Sequence, residues 1–220
     1  MLEIAENHRN QIHAVTPRGH KAALGQFMTP ASVASFMASL FPVQPAPGAI
    51  LDAGAGLGAL TCAMLDRWDG QDVAVEAYEI DARLRDHLTQ TLAGYKANSV
   101  VHAGDFLQDA SRRIRSGDAP FSHAILNPPY KKISASSEAR TVASGVGLET
   151  VNLYSAFVGL ALALLRPGGQ LVAIIPRSFC NGPYYKPFRQ WIRQHGAIRQ
   201  LHLFGSRNSA FRDDSVLQDR

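Results

Sequence analysis

The chain is short of cysteine, of paired metal ligands and of uninterrupted apolar runs, and each shortage removes a class of protein. Its two cysteines, Cys62 and Cys180, have neither a CxxC partner nor a neighbouring histidine. A disulfide framework and a zinc site are therefore not expected, and buried reduced thiols are the plainer reading. Eight histidines are scattered without an HxxxH or HExxH pair, which leaves metal catalysis without ligands. The longest apolar stretch, Ala156 to Leu165, is broken by Gly159 and closed by Arg166 and Pro167, whereas a membrane-spanning helix needs roughly 20 apolar residues. The opening MLEIAENHRNQIH lacks the apolar centre of a secretory signal, so the chain is expected to remain in the cytoplasm.

What is present describes one folded domain. A length of 220 residues leaves no room for two domains of ordinary size, and 46% hydrophobic with 18% charged residues excludes a disordered or fibrous chain. Charge is uneven along it. Residues 1–176 hold 14 Lys and Arg against 15 Asp and Glu, and residues 177–220 hold 8 against 3. The whole positive excess thus lies at the C-terminal end, on Arg177, Lys186, Arg189, Arg193, Arg199, Arg207 and Arg212. Such a segment suits a polyanion, since each neutralised phosphate releases a counterion; a solvated helix face is the other reading.

Six apolar runs alternating with helical patterns predict a mainly parallel sheet covered by helices on both faces. The predicted strands are residues 49–54, 73–80, 98–103, 121–127, 169–176 and 197–204, and Asp214 to Arg220 reads as the start of a further one. Helices fit at Leu57 to Arg67, Ala82 to Ala93, Asn152 to Leu165 and Tyr184 to His195. Another is expected over residues 29–41, with Thr29 as N-cap and Pro30 in the first helical position. Residues 131–147 are polar, small and aperiodic, which predicts a long functional or mobile loop.

The first strand runs into LDAGAGLGAL, where Gly54, Gly56 and Gly58 permit tight turning and close approach of a ligand to the following helix. Glu79 ends the second strand, 21 residues after Gly58, where a carboxylate can accept from both hydroxyls of a ribose. Together they predict a nucleoside-cofactor site. Gly54, Gly56 and Ala59 also satisfy a dinucleotide pattern, so an NAD-dependent oxidoreductase stays open at this point. Asp52, just before the glycines, favours a cationic amino-acid group and disfavours a pyrophosphate, which points to S-adenosylmethionine. Asp105, after the third strand, can accept from an adenine amino group, with Ile80 and Phe106 covering the ring.

The fourth strand ends in Asn127, Pro128, Pro129 and Tyr130, at the sheet edge where open α/β folds place their ligands. Pro128 drives Asn127 out of helical geometry, and two prolines stiffen the backbone without offering an N–H donor. The Asn127 side-chain oxygen and the Pro128 carbonyl remain as two rigid acceptors, which match the two hydrogens of an exocyclic amine. Accepting both aims the nitrogen lone pair in one direction, so attack in line on a methyl sulfonium needs no strong base beforehand. Tyr130 offers an aromatic face to a base taken out of a duplex, and Phe211 a second one.

These segments resemble the amino-group DNA methyltransferases, in particular the N(6)-adenine enzymes with the gamma order of motifs found in TaqI-like, PstI-like and type IIG restriction-modification systems. The resemblance runs from about Gly19 to the last residue. It implies an α/β, Rossmann-like class I S-adenosylmethionine-dependent methyltransferase fold with a seven-stranded, mostly parallel sheet and helices on both faces. It assigns Gln26, Phe27, Thr29 and Pro30, within GQFMTP, to the cofactor along with Asp52, Gly54, Gly56, Gly58, Glu79, Ile80, Asp105 and Phe106. Asn127, Pro128, Pro129 and Tyr130 become the catalytic motif, Phe211 the second stacking residue, and Asn at position 127 is associated with adenine. Double-stranded DNA is the implied substrate, with Lys131, Lys132, Arg177, Lys186 and Arg207 as phosphate contacts, and a separate specificity or restriction polypeptide is a possible partner. Residues 1–18 read as an N-terminal extension and 19–220 as the catalytic domain, its last strand cut short and no target-recognition domain following. RNA-base or protein-glutamine methylation by the same corner, and a fragment that holds S-adenosylmethionine without transferring methyl, are the alternatives.

Overall fold

A computed structural model describes residues 2–15, 28–43 and 48–205. Short runs bounded by turn residues become strands β1 (Ala49–Ala53), β2 (Ala74–Tyr78), β3 (Asn98–His102) and β4 (Phe121–Leu126), and a longer β5 (Leu165–Ala173) completes a parallel sheet of order β3-β2-β1-β4-β5. Strand order reverses between β1 and β4, and that crevice is where open α/β sheets bind ligands.

Alternation along the strands sends neighbouring side chains to opposite faces. Ile50, Val75, Ala77 and Ile125 meet α1 (Leu2–Val15), α2 (Ala31–Ser39), α3 (Ala59–Arg67) and α4 (Ala82–Leu92). Leu51, Ala53, Ala124 and Leu126 meet α5 (Phe106–Ser116), α6 (Glu138–Ser144), α7 (Leu153–Ala163) and α8 (Lys186–His195). β4 is buried along its whole length, as expected of a central parallel strand covered on both sides. No helix among the described residues is long and apolar enough to cross a membrane.

Several expectations need correction. The sheet has five strands among the described residues, not seven. Residues 197–204 form no strand there, and Ile198, Leu201 and Leu203 are exposed: a strand needs a ladder partner, and this stretch has none in the described sheet. The stretch from Asp214 lies outside the described residues. β5 begins earlier than predicted because Leu165 pairs with Phe121 across a register shift, so the apparent turn at Gly168 and Gly169 lies within the strand. The expected loop 131–147 contains α6, whose Ser137 side chain accepts from the Arg140 amide, as N-cap residues do. Helix α5 was not anticipated. Finally, Pro30 rather than Thr29 caps α2, without a side-chain bond, because the Thr29 hydroxyl is engaged elsewhere.

Candidate active site

The glycine loop is formed by backbone bonds before any side chain contributes. The amides of Gly54 and Ala55 both donate to the Tyr78 carbonyl at the end of β2, at 2.9 Å. Gly58 has φ +84, and a β-carbon there would stand 2.6 Å from Leu88 Cδ1, so a larger residue would strain the backbone and push the Leu88 side chain aside. Gly56, at φ +58, turns its amide onto Glu79 Oε2 at 2.9 Å. The other oxygen, Oε1, accepts from the Asp81 amide at 2.7 Å. Burial raises the Glu79 carboxyl above the usual range, while these backbone amides favour its charged form.

A cavity of about 270 Å³ opens beside this loop. Thr29, Gly54, Gly56, Glu79, Ile80, Asp105, Phe106, Asn127 and Pro129 all line it, so nine of the residues named from sequence for the cofactor and the catalytic corner converge on one space, whereas Pro30, Gly58, Pro128 and Tyr130 are not among its walls. Ile80 is 61% exposed and lies open to a ligand. Phe106 is buried, with its ring edge-on to Tyr78. The Asp105 side chain accepts from the Leu107 amide at 2.8 Å, which caps α5. Walls not anticipated from sequence are Met28, Leu57, Leu84, Leu153 and Phe157. Their signal was only the apolar face of a helix or loop, which reads equally as core.

Asp52 departs from expectation. It is fully buried and is not among the cavity walls. Its Oδ2 accepts from the Thr61 hydroxyl at 2.7 Å, and Oδ1 is buried without a hydrogen-bond partner. Direct pairing with a ligand's ammonium is therefore not the arrangement seen. Burial pushes its carboxyl up to about 7, against the Thr61 hydrogen bonds and with a further push from the negative Glu79.

The Asn-Pro-Pro-Tyr corner abuts the glycine loop: a β-carbon on Gly54 would lie 4.0 Å from Pro129 and 3.7 Å from Phe157. Asn127 donates through Nδ2 to Thr29 Oγ1 at 3.0 Å, and its Oδ1 accepts from the Tyr130 hydroxyl at 2.9 Å. That hydroxyl also reaches the Ile174 carbonyl, at 2.8 Å. One phenolic proton thus has two acceptors. The Tyr130 ring packs edge-on against Tyr154, which stacks on Tyr185, and Tyr185 accepts from Asn152 at 2.7 Å. Pro128 is buried and Pro129 partly so.

The named cations follow the same sheet edge. Lys131 and Lys132 come after β4, and Arg177 and Lys186 after β5; all four are exposed, and Lys131 also lines the cavity. Gln26, Phe27, Arg207 and Phe211 lie outside the described residues. Among the described residues no group of three or more His, Cys, Asp or Glu could hold a metal ion.

A sheet of this order, with a glycine loop after β1 and an acid after β2, is that of nucleoside-cofactor folds, class I S-adenosylmethionine-dependent methyltransferases among them. A solved Listeria monocytogenes structure assigned to that class superposes with a TM-score of 0.66, covering 87% of this chain and 59% of its own at 16% identity. The profile of the Eco57I restriction-modification methylase family matches residues 49–211, and the chain belongs to that family. It is 45% identical over 215 residues to Type II methyltransferase M.BsuBI of Bacillus subtilis, covering 91% of this chain and 43% of that protein. With Type II methyltransferase M.PstI of Providencia stuartii the identity is 39% over 213 residues, covering 90% and 42%. The chain therefore spans less than half the length of these relatives.

Proposed function

We propose that the chain is the catalytic region of a DNA methyltransferase that moves a methyl group from S-adenosylmethionine to the exocyclic amine of an adenine turned out of duplex DNA. The setting is a bacterial restriction-modification system in the cytoplasm, with a specificity or restriction polypeptide as partner. One observation carries the reading: Asn127 and Pro129 of the corner line the same cavity as Gly54 and Gly56 of the glycine loop, Glu79 and Asp105.

The donor set fits that cofactor. In this reading Glu79 serves the ribose hydroxyls, Asp105 an adenine amino group, and Ile80 with Phe106 the ring; Gly54 and Gly56 leave room for the remainder, and Gly58 lets the loop pass Leu88. Asp52 acts from beneath the loop, by holding Thr61 and α3. When bound, the cofactor supplies a methyl group activated by its sulfonium. Asn127 Oδ1 and the Pro128 carbonyl take the amine's two hydrogens and direct its lone pair, and Tyr130 presents a ring to the base. A basic side chain is not needed at the corner, because the proton departs after nitrogen has become positive. Lys131, Lys132, Arg177 and Lys186 supply phosphate contacts. By resemblance Gln26, Phe27 and Pro30 belong to the cofactor pocket, Phe211 to base stacking and Arg207 to phosphate.

The test is transfer of tritium from labelled S-adenosylmethionine into DNA, RNA and protein in parallel, using the full encoded protein. Label on the adenine amine of DNA supports the reading. Label confined to RNA, or to protein glutamine, overturns it.

A further inference from the structure

Thr29 lines the cavity, yet its hydroxyl is spent on the catalytic corner rather than on its own helix. It is 7% exposed, and Oγ1 accepts from Asn127 Nδ2 at 3.0 Å across a sequence separation of 98 residues. Its position is stiff. The amide of Ala31 at the start of α2 is held by Glu6 Oε2 of α1 at 3.1 Å, and α2 buries Val33, Ala34, Met37 and Ala38 in the core. An untethered asparagine side chain can swing between rotamers, and each swing would carry its acceptor away from an approaching amine.

We infer that Thr29 is a positioning residue for methyl transfer: its hydroxyl, bonded to the Asn127 side chain, holds that amide in one place beside the cavity, so that its oxygen meets the substrate amine at a fixed point. This rests on the reading of Asn127 as the amine acceptor. Thr29 is thereby a mechanical link between the cofactor cavity and the amide, beyond being part of the cavity wall. The Tyr130 hydroxyl supports the amide from the other side.

Thr29→Val keeps the shape and removes the hydroxyl; Thr29→Ser keeps the hydroxyl. In the full encoded protein, the turnover rate of Thr29→Val at saturating cofactor should fall about tenfold or more, as expected for a misdirected reacting group. S-adenosylmethionine affinity measured by calorimetry should change by a smaller factor than the rate, although Thr29 lines the cavity, and Thr29→Ser should recover most of the rate. Thr29→Ala serves in place of valine if that variant misfolds. A second readout needs no activity. In cofactor-free protein the Asn127 side-chain amide protons, assigned by their loss in Asn127→Ala, should shift and exchange faster in Thr29→Val. An unchanged rate, a loss confined to cofactor affinity, or an unmoved Asn127 resonance overturns the inference. Absence of DNA methylation by the wild type would instead overturn the proposed function, and the resonance would still decide whether Thr29 holds the amide.

Discussion

Beyond β1, β2 and β3 the sheet edge presents carboxylates answered by backbone amides, with Glu79 bonded to Gly56 and Asp81 and Asp105 bonded to Leu107. Beyond β4 and β5 it presents amides, hydroxyls and rings, with Asn127, Tyr130, Asn152, Tyr154 and Tyr185 in contact with one another or with the main chain. The first region is suited to hydroxyl and amino groups of a ligand held in one place. The second offers acceptors and aromatic faces, which suits a neutral amine whose nitrogen must stay neutral until it attacks. In the proposed function binding and chemistry divide along this edge, and the two regions meet where Pro129 approaches Gly54.

The sharpest way to break that division is a crossed pair of variants. Asn127→Ala should lower methyl transfer by about 100- to 1000-fold, the scale for losing one preorganised group directed at a transition state, while cofactor affinity stays near wild type. Glu79→Gln should do the converse, with affinity falling on the order of tenfold, since it gives up hydrogen bonds to a charged group. Calorimetric titration and single-turnover rates on both variants would decide. If Asn127→Ala lost cofactor binding, or Glu79→Gln kept it, the two regions would not be separate.

A smaller effect distinguishes the two acids of the first region. Glu79 faces the cavity, whereas Asp52 is sealed beneath the loop with its carboxyl raised to about 7. An unfolded aspartate titrates near about 4, so the folded chain holds an extra proton between those values. The associated stabilisation is full below about pH 4 and is lost as pH rises through about 7. Relative to Asp52→Asn, which cannot ionise, the wild type should therefore lose on the order of 2 to 4 kcal/mol of unfolding free energy from pH 4 to pH 8. Urea unfolding of both proteins across that range is the measurement. Parallel curves would mean that Asp52 ionises as easily folded as unfolded.

How far the sequence could be read follows the range of the interactions. β1 to β4 were legible because each is a short β-forming run closed within a residue or two by a glycine, an acid or a proline, and the glycine loop because it rests on local backbone geometry. Helix α5 was missed although its ends carry signals: Asp105 caps it and Gly117 closes it at φ +74. The acid had already been given a ligand role, and the polar face of QDASRRIRS hid the buried Phe106, Leu107 and Ala110. Residues 197–204 failed in the opposite way. Their alternation is that of a strand, but a strand also needs a neighbour, which no local pattern supplies. Thr29 shows the same limit in the site itself, since a threonine before a proline reads as a helix cap and its partner Asn127 is brought to it only by the complete sheet. Asp52 was recognised as special, but its burial behind Thr61 is a property of packing.

The smallest expected effect concerns the cations along the second region. Arg189 belongs to the same basic segment as Lys186, yet its guanidinium donates to the carbonyls of Phe179, Asn181 and Gly182 at 2.9 to 3.1 Å. It closes the turn before α8, whereas Lys186 and Lys132 are exposed at the edge. Phosphate contacts position a protein on DNA without reading its sequence, so these 220 residues should bind unrelated duplexes similarly, with dissociation constants of roughly 10⁻⁴ to 10⁻⁶ M at physiological salt. Lys132→Gln and Lys186→Gln should each weaken binding by about two- to fivefold and lower the slope of log affinity against log salt by about 1. Arg189→Gln should leave that slope unchanged and lower the melting temperature. Fluorescence anisotropy across a salt series, with thermal unfolding alongside, separates the two kinds of cation. Equal slopes for all three variants would remove Lys132 and Lys186 from the DNA-facing surface, and nanomolar binding to one duplex would show that base-reading groups stand among them.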